Sequence, residues 1–558
     1  MSDAGVQGGT ARDAPVVIVG AGPIGMFLAL DLARYGVPSL LVEQDLEPRR
    51  DPKGNTHNAR TMEHYRRLGL ADDIRRLGLP PAQSTDVIYV TRLDGFELGR
   101  IPLPSSREKI ALRTTPQCTD QVPEPLHRAN QVYVERLLHD EVLATALIKP
   151  LLGWEYKGSR VEDGQLRVDV EPVGGGETRQ LRCDYLVGCD GGRSAVRRDL
   201  NIRFSGEDSF DDGFMGAAMR ASHLRIPDFY RTFRGSPGWQ YWVINPDTML
   251  ALVDLNGRDE FLLHSSVQQA ATEADVVALV RRCAKTEIDV ELLSSRSWTA
   301  GRALVADRYG DGRIFLAGDA AHIFTPTGGF GMNTGIDDAA NLAWKLAAVL
   351  QGWGGPSLLA TYESERLPVG VRNTGAARRH ATHLRDIPLT AALEHLSAEG
   401  AAARAAMGSV IPMFTEEFAS IGIQLGARYD TSAIVAQEPG AHPPADELER
   451  YEPSSLPGGR APHLWLRDGR SLYDLIGRGF LLVRFAPAPG ADALLEEAQT
   501  RGLPMTLADI DLPEARALYP CNLALIRPDH HVAWRGDAVT DPAALAARIS
   551  GWAPFTDE

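Results

Sequence analysis

A long stretch of the chain, from Ala14 to Leu30, carries no charge and is mostly apolar. It opens with Val16-Val17-Ile18-Val19, a β-branched run typical of a buried strand. The pattern then changes to one that predicts a helix over residues 22–35, and a second strand is predicted over residues 39–43. Strand, glycine turn, helix and strand predict a βαβ unit and a parallel sheet. Internal Pro and Gly residues, and a length short of about 20 residues, argue against a membrane span.

The later pattern predicts several further elements. The pattern over residues 203–297 predicts an α+β module, with antiparallel strands over 239–243, 249–254 and 261–264. Elsewhere, we predict helices over 59–68, 129–146, 331–351, 494–501 and 542–549, and strands over 167–173, 181–190, 480–485, 505–510 and 523–526. Residues 431–463 are rich in proline and poor in apolar runs, which predicts either a linker or a long wrapped loop.

Charge and cysteine content exclude some classes of partner and of metal site. The 558 residues carry 58 basic and 73 acidic side chains, a formal net charge of −15 that argues against nucleic acid and anionic membranes as partners. The five cysteines form no CxxC pair and no Cys/His cluster with zinc spacing, so no metal site is predicted. Wide cysteine spacing favours a reducing, cytoplasmic location.

The turn after the first strand carries the most informative motif. Gly20-Ala21-Gly22-Pro23-Ile24-Gly25 matches GxGxxG between a strand and a helix, the arrangement that places a pyrophosphate at a helix N-terminus. Glu43 ends the second predicted strand, 23 residues after Gly20, near the spacing of a carboxylate that binds ribose hydroxyls. An acidic residue there disfavours a 2′-phosphate, so the motif predicts FAD or NAD.

Two further motifs follow in order. The run from Tyr185 to Arg197 contains Asp190-Gly191, and the run from Arg313 to His322 contains Gly318-Asp319. The second run continues through Pro326, Gly328, Gly329 and Gly331 into a predicted helix. Together with the first motif, they resemble the single-component (class A) FAD-dependent aromatic hydroxylases over about residues 14–385. The C-terminal extension resembles the thioredoxin-like domain of the phenol-hydroxylase-like and polyketide-hydroxylase-like branches.

The resemblance implies an α/β fold: a Rossmann-type FAD-binding domain (GR2-like, of the p-hydroxybenzoate-hydroxylase type) with an inserted α+β substrate domain and a thioredoxin-like C-terminal domain. The implied boundaries are 1–200 (FAD-binding, first part, with a segment near 85–115 joining the substrate domain), 201–297 (substrate-binding), 298–385 (FAD-binding, second part), 386–430 (helical), 431–463 (linker) and 464–558 (thioredoxin-like).

The cofactor contacts expected from motif and resemblance fall into three groups. The first glycine motif and its acidic partner supply Gly20, Gly22, Pro23, Ile24, Gly25 and Glu43. Positions that the family uses around FAD supply Arg60, Gln131 and Asp190, with Arg197 given less weight. The third motif supplies Gly318, Asp319, Pro326, Gly329, Gly331, Met332 and Asn333, where a carboxylate suits ribityl hydroxyls and helix-entry amides suit a reduced flavin.

The resemblance also implies the reaction. NADPH or NADH reduces FAD transiently, and O2 then forms a flavin C4a-hydroperoxide that hydroxylates a phenolic or aromatic polyketide-type substrate. No catalytic base is assigned. Tyr241, in the alternating run 239–244, is our one candidate for a substrate hydrogen bond. The expected partners are small molecules, with a homodimer as one possible assembly. The C-terminal domain, lacking CxxC, is not expected to have redox activity.

Three alternatives remain open at this stage. The motifs also resemble tailoring oxygenases of the indolocarbazole type. A flavin halogenase is disfavoured because Trp239-Gln-Tyr-Trp242 does not have the WxWxIP spacing. A non-catalytic flavin-binding module remains the alternative outside the oxygenases, although Glu43, Asp190 and Asp319 are intact.

Overall fold

The computed structural model describes residues 12–115, 122–207, 218–299, 302–383 and 389–553. The first stretch alternates strands and helices. Its elements are β1 (Val16–Val19), α1 (Pro23–Arg34), β2 (Ser39–Glu43), β3 (Thr56–His57), α2 (Ala59–Arg67), α3 (Ala71–Arg75), β4 (Val87–Val90), β5 (Glu97–Ile101), α4 (Ser106–Leu112), β6 (His127–Arg128), α5 (Gln131–Ala144), β7 (Ile148–Leu152), β8 (Trp154–Glu162), β9 (Gln165–Pro172), β10 (Arg179–Cys183), β11 (Tyr185–Gly188) and α6 (Ala195–Asp199).

The middle of the chain is mainly antiparallel and ends in two long helices. Its elements are β12 (Phe204–Glu207), β13 (Ala218–Arg225), α7 (Phe229–Thr232), β14 (Gln240–Asn245), β15 (Thr248–Asp254), β16 (Glu260–Ser266), α8 (Glu273–Arg282), β17 (Glu291–Thr299), β18 (Ala303–Ala306), β19 (Gly310–Asp311), β20 (Ile314–Leu316), β21 (His322–Ile323), α9 (Phe330–Leu350) and α10 (Thr361–His383).

The remaining elements are short helices followed by a small α/β unit. They are α11 (Ala398–Val410), α12 (Thr415–Phe418), α13 (Ile421–Leu425), β22 (Phe480–Arg484), α14 (Ala491–Thr500), β23 (Met505–Asp509), α15 (Ala515–Leu518), β24 (Leu523–Ile526), β25 (Val532–Gly536) and α16 (Pro542–Ile549). Short 3-10 turns lie at Gly318–Ala320, Thr327–Gly329, Ala391–Glu394, Ile411–Phe414 and Leu472–Leu475.

The parallel sheet predicted from the first apolar run is present. Its strand order is β19-β20-β11-β1-β2-β7, and only β19 is antiparallel to its neighbour. The four residues of β1 are fully shielded, as expected for a strand with helices on both faces. Helices α1 and α9 pack so closely that a Cβ on Gly335 would lie 2.6 Å from Ile24 Cγ1 and 2.9 Å from Gly318 Cα. The glycines thus bring α9 against the first and third motifs.

The inserted module is a seven-stranded sheet of order β17-β13-β16-β15-β14-β4-β5. Strands β4 and β5 come from the first stretch, and β4 runs parallel to β14. Side chains alternate between two buried faces. One face, with Tyr241 and Val243, packs under α8; the other, with Tyr89 and Trp242, packs against α11 and residues 411–414. The second face also contacts Phe418, whose neighbour Glu417 bonds to Gly328 in the turn before α9.

One predicted strand is wrong as a single element. Residues 181–190 divide into β10, which pairs antiparallel with β9, and β11, which pairs parallel with β1. The change of sheet occurs at Asp184, whose N–H donates to the carbonyl of Pro15. The sequence has no turn residues such as Gly or Pro at this point, so it gave no signal that the partner strand changes.

Residues 431–463 form a wrapped loop, the second of the two forms predicted for them. The segment has no helix or strand, yet Ile434, Val435 and Ala461 are buried. The Ala436 N–H donates to the carbonyl of Ala533, and the Gly458 N–H donates to that of Val532. These bonds hold the loop against the C-terminal unit.

The C-terminal unit has the thioredoxin-like arrangement, with strand order β23-β22-β24-β25. Strands β22 and β23 are parallel, and β24 and β25 are antiparallel to their neighbours. Strand β25 was not predicted, because Val532–Gly536 includes only two fully buried positions. Among the described residues, no helix is long and apolar enough to cross a bilayer.

Candidate active site

The first glycine motif forms an open backbone recess at the start of α1. Gly20 has φ +105°, and a Cβ there would lie 2.4 Å from the carbonyl oxygen of Cys189. A Cβ on Gly25 would lie 1.9 Å from the carbonyl oxygen of Gly20, so neither position has space for a side chain. A Cβ on Gly22, in contrast, would meet nothing within 4 Å, and Gly22 caps α1 without a side-chain hydrogen bond. The backbone N–H groups at the start of α1, which no side chain caps, therefore suit a pyrophosphate.

Glu43 lies at the end of β2 beside this recess. Its Oε2 accepts a hydrogen bond from the Ala21 N–H at 2.6 Å, and its Oε1 accepts one from Asp45 N–H at 3.0 Å. The carboxylate is half-buried and fixed by two backbone donors. Each oxygen retains a lone pair for a ribose hydroxyl, so the geometry is compatible with the role predicted for Glu43.

The second motif lies at the end of β11, the strand next to β1. Asp190 Oδ2 accepts hydrogen bonds from the N–H groups of Ala195 (2.6 Å) and Val196 (3.2 Å). Its Oδ1 is buried and has no hydrogen-bond partner among the described residues. Arg197 donates to the carbonyl of Ala320 at 3.3 Å and so connects the second motif to the third.

Asp319 lies in a recess at the carboxyl end of β20. Its side chain is exposed, yet nearby protein atoms partly desolvate the carboxylate and raise its pKa, with His322 and Lys53 opposing the shift. No other described residue forms a hydrogen bond or ion pair with this carboxylate. A desolvated carboxylate without protein partners is suited to accept hydrogen bonds from a polyol such as the ribityl chain of FAD.

The third motif continues into the N-terminus of α9. Gly328 (φ +77°) and Gly329 (φ +64°) adopt the left-handed conformation that favours glycine. Pro326 precedes this turn, and Met332 is half-buried in the first turn of α9. The Asn333 side chain braces the turn by donating to the carbonyls of Thr56 (2.9 Å) and Gly329 (2.7 Å). The contact predicted between the amides of Met332 and Asn333 and the flavin edge stays a prediction.

Gln131 is the first residue of α5, where the sequence predicted a cofactor contact. Its N–H donates to the carbonyl of Gly54 at 2.7 Å, and its side chain bonds to Glu135. The side chain is half-buried, and Gly54 approaches it closely enough that a Cβ would lie 3.4 Å from Gln131 Oε1. The predicted role of Gln131 stays a prediction.

The structure argues against the FAD contact predicted for Arg60. Its Nε donates to Asp337 Oδ1 at 3.0 Å, Nη1 approaches Glu63 Oε2 at 3.3 Å, and Nη2 donates to the carbonyl of Asp529 at 2.5 Å. Its guanidinium nitrogens are thus occupied by protein groups inside a buried domain junction. The correction has a physical reason: Asp337 and Asp529 lie 277 and 469 residues away in sequence, so local pattern could not reveal them.

This junction is a continuous buried network of charges. From Arg60, it passes through Asp337 and Arg366 to Asp338, whose Oδ1 accepts from Arg366 Nε at 2.8 Å. Asp338 Oδ2 then accepts the Gly318 N–H at 3.2 Å and lies 2.6 Å from His322 Nε2. The network therefore connects the C-terminal domain to the third motif, a structural contact that agrees with the absence of a CxxC redox pair from that domain.

The prediction for Tyr241 is also corrected. Its ring packs between Phe229 (4.7 Å between centroids) and Phe233 (4.8 Å), on the sheet face under α8. Its hydroxyl donates to the carbonyl of Gly238 at 3.2 Å and accepts the Gly238 N–H at 2.9 Å. The side chain is part of a core and faces away from α9, because odd positions of β14 point to the opposite face from even ones.

Replacing Tyr241 by phenylalanine should therefore affect stability without affecting catalysis. Loss of the hydroxyl leaves the buried Gly238 groups without their partner, at an expected cost of about 1–3 kcal/mol. Urea unfolding measures the stability, and steady-state kinetics should show an unchanged KM and kcat. A tenfold rise in KM would restore the original assignment.

The structure brings together polar groups that the sequence did not single out. Arg128, at the end of β6, lies over the ring of Trp239, with the guanidinium carbon 3.8 Å from the ring centroid. Glu417, in α12, accepts the Gly328 N–H at 3.3 Å. The only available signal for Glu417 was an acidic pair, Glu416-Glu417, inside the otherwise apolar run 411–423. Among the described residues, no cluster of His, Cys, Asp and Glu could hold a metal ion.

Comparisons with known proteins agree with this arrangement. Residues 13–377 match the FAD binding domain family, and residues 454–554 match the family described as aromatic-ring hydroxylase, C-terminal. The chain is 33% identical to the FAD-dependent monooxygenase apdD of Emericella nidulans, over 96% of this chain and 90% of that protein. It is 30% identical to a putative polyketide hydroxylase of Streptomyces halstedii, over 95% and 94%.

The structural comparison covers nearly the whole chain. A structure of RebC with bound 7-carboxy-K252c superposes with a TM-score of 0.87 at 34% identity, over 97% of this chain and 99% of that one. Sequence and fold therefore agree across the FAD-binding, inserted and C-terminal domains. The chain belongs to the FAD-dependent aromatic-ring hydroxylase family, the class A flavoprotein monooxygenases.

Proposed function

We propose that this monooxygenase uses NAD(P)H and O2 to hydroxylate a phenolic ring, with an aromatic polyketide-type molecule as the substrate. The observation that carries the proposal is the pairing of two unlike regions around α9. On one side lie recesses that fit the phosphates and ribityl chain of FAD; on the other lies an aromatic sheet face with buried polar groups. Bound FAD would supply hydride acceptance and oxygen activation, which protein side chains cannot provide.

The residues of this chain have separable tasks in that reaction. Amides near Gly22 bind the pyrophosphate, Glu43 and Asp319 accept hydrogen bonds from sugar hydroxyls, and amides near Gly331 stabilise negative charge at the flavin edge. Tyr89 stacks on Trp242 (6.1 Å between ring centroids) and on Phe414 (5.9 Å). These three rings are buried, so they support the substrate site from behind and keep water out of the layer beneath it.

The test is a panel of phenols and aromatic polyketides offered to the FAD-loaded protein with NADH or NADPH. We expect at least one compound to stimulate both NAD(P)H oxidation and oxygen uptake, and to yield a product heavier by one oxygen atom. A panel in which no compound stimulates oxidation would contradict the proposal and favour a non-catalytic flavin-binding module. Oxidation without a hydroxylated product would show that the substrate class is wrong.

One observation favours a second substrate class. The superposition on RebC, whose structure holds 7-carboxy-K252c, extends over nearly the whole chain. An indolocarbazole-type substrate would occupy the same aromatic face, since it is also planar and larger than a simple phenol. Including an indolocarbazole precursor in the panel separates the two classes, because only the true substrate class should give product in proportion to NAD(P)H consumed.

A further inference from the structure

A closed series of contacts lies in front of α9. Gly328 bonds to Glu417, and Phe418, the next residue, packs edge-on against Trp239 with 6.2 Å between ring centroids. Trp239 lies under Arg128, and Arg128 Nη1 donates to Thr56 Oγ1. A Cβ on Gly329 would in turn lie 3.5 Å from Thr56 Cβ, which completes the circuit. The contacts join α12, β3 and β6 to the glycine turn that precedes α9.

The polar groups in this circuit are not all satisfied by protein. Arg128 is 5% exposed, yet its Nε and Nη2 have no hydrogen-bond partner among the described residues. The indole Nε1 of Trp239, 5% exposed, likewise has none. Buried donors without acceptors cost free energy, so their persistence at one place indicates a site for an oxygen-bearing ligand.

Arg128 and Glu417 affect each other without forming an ion pair. Burial lowers the pKa of Arg128 to about 9, and the charge of Glu417 opposes the shift. Burial raises the pKa of Glu417 to about 7, while the Gly328 N–H and Arg128 oppose it. Tyr89 is the other titratable group whose charge is coupled to Glu417. Within the described part of the chain, no Arg128–Glu417 contact of 4.0 Å or less occurs.

We propose that Glu417 is the base that takes the proton of the substrate's phenolic hydroxyl, and that Arg128 and Trp239 bind the resulting phenolate oxygen. The step is a proton transfer only: the substrate O–H bond breaks, its electron pair stays on oxygen, and the carboxylate becomes a carboxylic acid. Two residues with unpartnered donors, Arg128 and Trp239, and one acceptor, Glu417, in the same series of contacts are the groups that this transfer requires. A phenolate ring is more electron-rich than a phenol and so reacts more readily with an electrophilic oxygen. The assignment rests on the proposed phenolic substrate.

The glutamate assignment follows from its position and not from its charge alone. The neighbouring Glu416 instead pairs with Arg379 on α10. Glu416 therefore has the same chemistry in the same short helix, but its partner is a half-exposed arginine. Glu416→Gln is the matched control for Glu417→Gln, because each replaces one carboxylate by an amide of equal size.

The experiment uses 2-naphthol as the probe, because its ionised form has a distinct absorption band. The FAD-loaded protein is titrated with naphthol from about pH 6 to 9, and the bound naphtholate is read from difference spectra. In the parent chain and in E416Q, bound naphthol should ionise at least about one pH unit below free naphthol. In E417Q and in Arg128→Met, that shift should be lost while FAD content and the unfolding temperature are retained.

Turnover provides the second measurement on the same variants. With a phenol that the parent chain hydroxylates, E417Q should lower kcat/KM by about 10²- to 10⁴-fold and abolish its rise with pH near 7, whereas E416Q should change neither. Naphthol that ionises on the parent chain as it does in water, or that does not bind, would overturn the assignment, as would equal behaviour of E417Q and E416Q. These failures are distinct from failure of the proposed function, in which no phenol supports NAD(P)H oxidation at all.

Discussion

Replacing Asp319 by alanine should release FAD while leaving the FAD-free protein at least as stable as the parent chain. The carboxylate is partly desolvated and forms no hydrogen bond or ion pair with any described residue. Without a ligand it therefore adds little to the free energy of unfolding. Removing hydrogen bonds to a charged group costs about 1.5–3 kcal/mol, which corresponds to about ten- to a hundredfold weaker FAD binding.

The measurement combines flavin absorbance after dialysis with thermal unfolding of the FAD-free proteins. Asp311→Ala is the matched control, since Asp311 is also an exposed aspartate and lies in β19, beside β20, but it pairs with Arg308 at 3.4 Å. That variant should retain FAD. If D319A keeps its flavin through dialysis with unchanged affinity, the cofactor assignment for the third motif is wrong.

Replacing Glu365 by glutamine should destabilise the protein strongly, without touching the cofactor recesses. Glu365 accepts hydrogen bonds from Arg527 Nη1 (2.7 Å) and Nη2 (2.8 Å) and from Lys345 Nζ (2.6 Å). All three side chains are inaccessible to solvent. A neutral amide leaves the buried Lys345 without its counter-charge and leaves Arg527 with Asp529 alone, which costs about 3–5 kcal/mol. Urea unfolding measures the loss, and the exposed Glu496→Gln is the control.

The same residue predicts a pH dependence. Burial alone would raise the pKa of Glu365, but Arg527 and Lys345 lower it to about 2. A carboxyl whose pKa is lower in the folded state stabilises the fold above its unfolded pKa of about 4.3, and this stabilisation is lost as pH falls towards 2. The stability difference between parent and E365Q should therefore be largest near neutral pH and shrink below about pH 4. A difference that is constant from neutral to acidic pH would contradict the ion-pair account.

Local pattern was sufficient for the parts of the site that are built locally. The turn between β1 and α1 and the glycines before α9 carry their conformational requirement in the residue types themselves. Gly20 must avoid the Cys189 carbonyl, and Gly328 and Gly329 have positive φ. Few residue types other than glycine can occupy such positions, so the motifs can be recognised from the sequence.

Contacts between residues far apart in the chain could not be predicted from the sequence in this way. Arg60 resembles a family position that contacts FAD, but it is paired with Asp337 and the Asp529 carbonyl. Tyr241 and Trp242 are adjacent aromatic residues on opposite faces of the inserted sheet. Only the packing of α8 on one face and α11 on the other shows which core each side chain joins. Glu417 is acidic in a short helix, and its importance comes from Gly328 and Arg128, both far away in sequence.

The most direct test of the central claim uses isotopically labelled dioxygen. The FAD-loaded protein is incubated with NAD(P)H, labelled dioxygen, ordinary water and the best compound of the phenol and polyketide panel, and the product is analysed by mass spectrometry. A monooxygenase predicts a ring-hydroxylated product carrying one labelled oxygen atom, with NAD(P)H consumed in step. A product that takes its oxygen from water, or labelled dioxygen that yields only peroxide and unchanged substrate across the panel, would contradict it.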